Sequence, residues 1–219
     1  ALPRARHPAQ ADGRGPVNGP LIDAGGRWTF LNKPHDLPVF PRHGAQGGPS
    51  LLDALLAATP EAADLPVPEG FTAGILHRLD TGTSGLVVAA RTPVDFELGR
   101  SLFAGGSLVK RYLFLTARHV PWDDHRVDAL LAHDARDRRK MVWQRGHQTP
   151  HRGHWYPAQT SLRRLGRAGS LHLWEASIST GVTHQIRVHA AAVGLALHGD
   201  RLYGGGAGDG RSWLHHRCI

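Results

Sequence analysis

The stretch His77-Arg78-Leu79-Asp80-Thr81-Gly82-Thr83-Ser84-Gly85 carries the densest chemistry in the chain. It is a polar, glycine-punctuated turn that runs directly into the apolar segment Leu86–Ala90. Catalytic groups favour such loops, because a rigid strand holds them while their side chains still meet a substrate. Asp80 is the only carboxylate between Glu69 and Asp95, and a carboxylate so placed suits nucleophilic or general-base work. Taken alone, its plainer reading is a turn aspartate bonded to neighbouring amides. A second stretch, Ser179-Thr180-Gly181-Val182-Thr183-His184-Gln185-Ile186-Arg187-Val188-His189, reads as a strand turning into a helix whose start is lined with polar groups. Arg187 lies one turn into that helix and outside its apolar stripe, so it offers a fixed cation to an anionic partner. A solvated helix face is the plainer alternative.

The elements that must position these residues are legible in outline. Trp28–Leu31 reads as a strand, and Ser50 with Asp53 three positions on caps a helix through Leu51, Leu52, Leu55 and Leu56 that ends at Thr59-Pro60. Gly85–Ala90 reads as a buried strand, and Thr92-Pro93 opens a helix that stops at Gly105-Gly106. Leu108–Ala117 is a second strong strand, with weaker ones expected near Val127–Leu131, Lys140–Gln144, Ala158–Leu165 and Leu171–Ser179. Ile186, Ala190 and Val193 repeat at helical spacing before Gly194. Many strands with few short helices predict a mixed α/β, or α+β, domain around an extended, mainly antiparallel sheet. Residues 1–26 read as a flexible basic arm and 27–219 as a single catalytic domain.

Composition narrows the partners. With 26 Lys and Arg against 18 Asp and Glu, the net charge of +8 favours a polyanion, with nucleic acid first. Cys218 is the only cysteine, which rules out an internal disulfide and a paired-cysteine metal site and suits the cytosol. No apolar run approaches the ~18 residues of a membrane span. His147, His151 and His154 stand at i, i+4 and i+7, but Pro150 and Gly153 interrupt any helix that would align them, and no metal is expected.

Taken together, the two polar stretches resemble the RluA family of pseudouridine synthases, whose catalytic motif His-Arg-Leu-Asp-x-x-Thr-Ser-Gly is matched at residues 77–85. Further family features follow in order: Asn32-Lys33-Pro34 with Pro38 and Val39, Lys110-x-Tyr112, Thr180-Gly181-x-Thr183-His184-Gln185-Ile186-Arg187-Val188-His189, and Gly199-Asp200-x-Leu202-Tyr203-Gly204. Val182 stands where the family has Arg, and His35-Asp36 where Ala-Gly is commoner. The chain stops soon after Leu214-His215-His216, where family members run on through another strand, so a shortened or compact member is expected.

The resemblance implies isomerisation of uridine to pseudouridine in structured RNA, either rRNA or tRNA, without a cofactor. It assigns Asp80 as the carboxylate that attacks ribose or uracil or removes a ribose proton, Arg187 as the cation that holds it, and Tyr112 as the residue packed on the flipped base. Arg78 would fill the place the uridine vacates, and Lys110 joins it as an RNA contact. Arg138, Arg139 and Lys140, with Trp143 nearby, read as an RNA-facing hairpin or as a solvated basic edge. A cytoplasmic monomer is expected. The rival readings are a non-catalytic RNA-binding or ribosome-assembly factor of the same fold, and a hydrolase using Asp80, which lacks the second carboxylate such chemistry normally needs.

Overall fold

The computed structural model describes residues 21–23, 26–41, 48–206 and 210–219. Its elements run β1 (Leu21–Asp23), β2 (Trp28–Lys33), α1 (Leu51–Ala58), a 3-10 turn (Pro60–Asp64), β3 (Ser84–Ala90), α2 (Pro93–Ala104) and β4 (Lys110–Thr116). They continue with β5 (Asp124–Asp128), β6 (Leu131–Asp134), β7 (Met141–Trp143), β8 (His151–Tyr156), β9 (Gln159–Ala168), β10 (Leu171–Ile178), α3 (Gln185–Ala192) and β11 (Leu214–Cys218). Eight strands form one sheet in the order β1-β2-β3-β11-β4-β10-β9-β5, and β7-β6-β8 form a second. Every neighbouring pair is antiparallel except β3 and β11. This is the mainly antiparallel α+β architecture that the element pattern predicts.

Local chemistry accounts for the helices. The Ser50 hydroxyl accepts from the Asp53 amide while the Asp53 carboxylate accepts from the Ser50 amide, a reciprocal cap that starts α1. Thr92 caps α2 through the Asp95 amide, and Pro93 occupies the first turn, where its missing N–H costs nothing. The central strand β3 is buried on both faces. Val87 and Ala89 enter the main core with Leu31, Phe114 and Trp174, whereas Val88 and Ala90 pack with Leu76 and Phe96 under α2. A third cluster of Leu131, Met141, Ala158 and Val188 ties the small sheet to α3.

Four elements depart from the sequence reading. The strand expected over Val127–Leu131 is two, because the chain leaves the edge of the large sheet after Asp128 and enters the small sheet at Leu131. Strand β8 lacks the apolar alternation that signals a strand, and its rings instead pair along the surface, His151 with Trp155 and His154 with Tyr156. Strand β11 is inserted between β3 and β4, although two of its five residues are histidines. Leu21–Asp23 pair with β2, so pairing to the large sheet begins inside the segment read as an arm. Residues 1–20, 24 and 25 of that arm lie outside the described residues. No helix among the described residues is long and apolar enough to cross a membrane.

The insertion of β11 sets the geometry of the site. Gly85, His216 and Tyr112 become one row across three strands. Gly85 sits at φ +115°, and a Cβ there would collide with the backbone carbonyl of His216, so only glycine lets β11 lie against β3. Along β4, residues alternate between buried and outward, which sends Lys110, Tyr112, Phe114 and Thr116 to one face.

Candidate active site

Asp80 precedes β3 in a turn closed by the Thr83 amide, which donates to the Asp80 carbonyl at 3.0 Å. The fully buried Lys33 anchors this turn from the end of β2, its ammonium donating to the carbonyls of Pro34, Leu37 and Thr81 at 3.0, 2.7 and 3.0 Å. Burial pulls the Lys33 ammonium down to about 8, against the opposing charges of Asp80 and Asp36. Asp36 itself sits at φ +62°, in the left-handed region that favours glycine.

The turn opens into a cavity of about 840 Å³, within the usual range of ligand clefts, and Asp80 is the one carboxylate residue on its walls among the described residues. Arg187 reaches Asp80 Oδ2 with Nη1 at 3.4 Å, but its main partner is Asp200. The Nε and Nη2 donors engage the two Asp200 oxygens at 2.7 and 2.9 Å, and the Asp200 side chain is 1% exposed. Asp200 Oδ1 also accepts from the amides of Leu202 and Tyr203. Burial alone would lower the Arg187 pKa, yet the hydrogen bonds and charge of Asp200, with Asp80 behind them, raise it. The sequence reading paired Arg187 with Asp80 alone. The two-pronged fork belongs instead to a buried carboxylate 13 residues downstream, and only Nη1 reaches Asp80.

His184 approaches the same Asp80 oxygen, with Nε2 at 3.7 Å, and its Nδ1 meets the Tyr203 hydroxyl at 2.7 Å. The Tyr203 ring lies under Arg187, 5.1 Å from the guanidinium carbon. Asp200, His184 and Tyr203 lie inside the motif stretches recognised in the sequence. Spacing alone does not reveal which side chains meet, because Tyr203 and His184 come together only when the loop after α3 folds back. Val182, where the family pattern has Arg, lines the cavity and packs against the third core cluster.

Tyr112 is both a core residue and part of the cavity wall, 7% exposed, with its ring stacked on His216 at 4.4 Å and 20°. Burial and the charge of Asp80 push its phenol above the usual range, so it enters any reaction as a neutral hydroxyl. Behind it, His77 stacks on Phe103 and meets His216 edge-on, and its Nε2 accepts from the Val88 amide. Burial pulls His77 to about 3 and His216 to about 4, with the neighbouring histidines and Lys110 adding to the shift.

Lys110, 8% exposed, also lines the cavity, and its ammonium has no hydrogen-bond acceptor and no ion-pair partner among the described residues. Burial lowers its pKa. A Cβ on Gly181 would stand 3.2 Å from this nitrogen, so glycine there keeps space open around the cation. A buried cation without an anion is costly unless a ligand supplies one. Arg78 is exposed at the cavity wall, and its side chain makes no hydrogen bond or ion pair among the described residues.

Arg138, Arg139 and Lys140 are not brought to the cavity. They occupy the turn between β6 and β7, where the Arg139 Nε and Nη2 donate to the Asp137 carboxylate at 3.1 and 3.0 Å. His133 and Met141, from the strands on either side of that turn, do line the cavity. Among the described residues no group of three or more His, Cys, Asp or Glu side chains is placed to hold a metal ion.

Comparison with known proteins converges on one family. Residues 27–192 match the family described as RNA pseudouridylate synthase. A ribosomal large subunit pseudouridine synthase D from Nitrosomonas europaea is 37% identical over 177 residues, 80% of this chain and 46% of that protein. An uncharacterized RNA pseudouridine synthase from Chloroflexus aurantiacus is 36% identical over 190 residues, 84% of this chain and 53% of that one. The solved structure of human RNA pseudouridylate synthase domain containing 1 shares the fold, with a TM-score of 0.69 at 24% identity over 91% of this chain and 76% of that chain. The chain spans about half the length of the curated relatives it matches. The matched residues 27–192 contain the turn, strand and helix that frame the cavity, and on that match the chain belongs to the RNA pseudouridylate synthase family.

Proposed function

We propose that this chain converts uridine to pseudouridine within structured RNA, with Asp80 as the reacting carboxylate. The observation that carries the reading is a lone carboxylate at the wall of an open cavity, reached by one N–H of a guanidinium that is otherwise anchored on Asp200. A uridine leaves its stack, at a cost of a few kcal/mol, and enters the cavity. Tyr112, backed by His216, forms one wall for the base, and stacking of this kind offsets ~1–3 kcal/mol of that cost. Asp80 then attacks the ribose or the uracil, or removes a ribose proton. The bond from N1 to the ribose breaks, the uracil turns, and its C5 joins the same ribose carbon. One proton leaves C5 and one is gained at N1, so the atoms balance without an oxidant, reductant or cofactor.

Lys110 supplies the buried cation that an RNA phosphate or a polarised uracil carbonyl would neutralise, and Arg78 is free to enter the gap left by the uridine. Arg138 and Lys140 act at longer range on the phosphate backbone. Relatives named for the ribosomal large subunit make rRNA the first substrate to test, with tRNA second. A single cysteine suits the cytosol, and a cytoplasmic monomer is the working assembly. A hydrolase is disfavoured because the nearby Asp200 is consumed by Arg187 and cannot act as a second carboxylate. A binding factor without catalysis would have no use for Asp80 so held.

The test is tritium release from uridine-5-tritiated ribosomal and transfer RNA, with mass-neutral labelling to locate the product. Release by the wild type and none by Asp80→Asn, at equal RNA affinity, is the expected result. Turnover that persists in Asp80→Asn removes the mechanism.

A further inference from the structure

Tyr203 and His184 form a contact whose hydrogen-bond direction can be worked out. The Met141 amide donates to the Tyr203 oxygen at 2.8 Å, so the phenol's single proton is left for its other partner, His184 Nδ1, at 2.7 Å. Burial pushes the Tyr203 phenol up to about 12, which keeps that proton in place at neutral pH. Burial also lowers the His184 pKa, against the charges of Asp80 and Asp200 and together with those of Arg187 and His133. A neutral imidazole that accepts at Nδ1 must carry its hydrogen on Nε2. That nitrogen faces Asp80 Oδ2 at 3.7 Å.

We infer that His184 is a positioning residue for Asp80, locked by Tyr203 in the tautomer that presents an N–H, not a lone pair, to the carboxylate. This rests on the proposed function. His184 and Arg187 both approach Oδ2, so Oδ1 is the oxygen left for the substrate. The 3.7 Å separation is longer than a hydrogen bond and closes when the bound uridine draws Asp80 into its reacting position. Backbone geometry is a second, independent sign that the side chain is committed to this task. His184 is the N-terminal cap residue of α3, yet it sits at φ +55° and its side chain makes no capping hydrogen bond. A non-glycine residue in the left-handed region is uncommon and is held there by its surroundings. The side chain gives up a helix cap to lie between Tyr203 and Asp80.

The inference excludes His184 as the base that removes the C5 proton, because its Nε2 lone pair is already protonated. Three measurements on the full chain test it. Ring nitrogen NMR of His184 at neutral pH should show the Nε2–H tautomer in the wild type and a mixture in Tyr203→Phe. In single-turnover assays on an RNA the wild type converts, His184→Gln, whose amide places an N–H near Nε2, should keep a rate within about fivefold, while His184→Leu falls about 30-fold with unchanged RNA affinity, the range of one hydrogen bond to a charged group. Tyr203→Phe should slow the wild type about tenfold but cost His184→Gln nothing further, since the tautomer lock no longer matters. An Nδ1–H tautomer in the wild type, His184→Gln as slow as His184→Leu, or an equal cost of Tyr203→Phe in both backgrounds overturns the assignment. A wild type inactive on every RNA would defeat the proposed function but leave the tautomer measurement to decide this one.

Discussion

Arg187 is held by two carboxylates with different duties, and the difference is testable at single residues. Asp200 takes two of its donors in a buried, two-pronged pair and Asp80 takes one. Removing one partner of a buried pair leaves an uncompensated charge, so Asp200→Asn should destabilise the fold by about 3 kcal/mol, read by urea denaturation. Isomerisation should fall at least as far, because the freed guanidinium swings to Asp80 and neutralises it. An unchanged rate in Asp200→Asn would show that Arg187 is positioned by something else. Arg187→Lys should fail alike on every RNA, since a point charge cannot bridge a fork and a third acceptor. The Arg78 side chain has no hydrogen-bond or ion-pair partner among the described residues, so Arg78→Ala should fail mainly on a stable stem-loop and recover on a loosened one, where the uridine is already unstacked. Equal rescue of both variants would erase this division.

The β6–β7 turn and the β3–β11 contact each put a demand on an element. The basic turn contains a neutralised member, because Arg139 is tied to Asp137 while Arg138 is not paired within the described chain. Arg138→Ala should therefore weaken RNA binding and reduce the slope of affinity against salt by about one, whereas Arg139→Ala should do less. Titrations at several salt concentrations decide, and identical slopes would mean the Arg139 pair opens on binding. In β3, Gly85 cannot accept a Cβ without pushing β11 away. Gly85→Ala should cost at least about 3 kcal/mol of stability and misplace Tyr112, which lies one strand beyond His216 in the same row.

For the whole molecule, the buried histidines tie stability to pH. His216 is 0% exposed, its Nδ1 donates to the Leu86 carbonyl at 2.6 Å, and burial holds its pKa at about 4. Its value in the unfolded chain is near 6.5, so between those limits the unfolded state binds more protons and stability rises with pH. The contribution is present above 6.5 and is lost as pH falls toward 4, amounting to about 2 kcal/mol between pH 7.5 and 5 for this residue. His77, pulled to about 3, adds loss of the same sign. Urea midpoints at the two pH values should show the drop, and His216→Phe, which keeps a ring against Tyr112, should flatten part of it. The same pH slope in that variant would assign the effect to other groups.

The helices and strong strands were legible because caps and periodicities act over a few residues. Ser50 with Asp53, Thr92 with Pro93, and the alternation through Lys110, Tyr112 and Phe114 all specify local structure from neighbours in the chain. The Asp80 turn, Arg187 and Tyr112 were nameable from the family resemblance of the motifs that hold them, and Lys110 and Tyr112, two apart on one strand, were bound to share a face. Tertiary structure alone decided which side chains meet. Asp200 captures Arg187, Tyr203 turns to His184, and β11 slides between β3 and β4 to back Tyr112 with His216. It also left Arg138, Arg139 and Lys140 on a turn away from the cavity. These outcomes depend on chain closure over separations as large as that between Gly85 and His216, where no local periodicity records the partner. Strand β11 shows the reason most plainly: His216 breaks the apolar alternation of a buried strand, and its burial is supported by the Leu86 carbonyl and the Tyr112 ring, which only the folded sheet supplies.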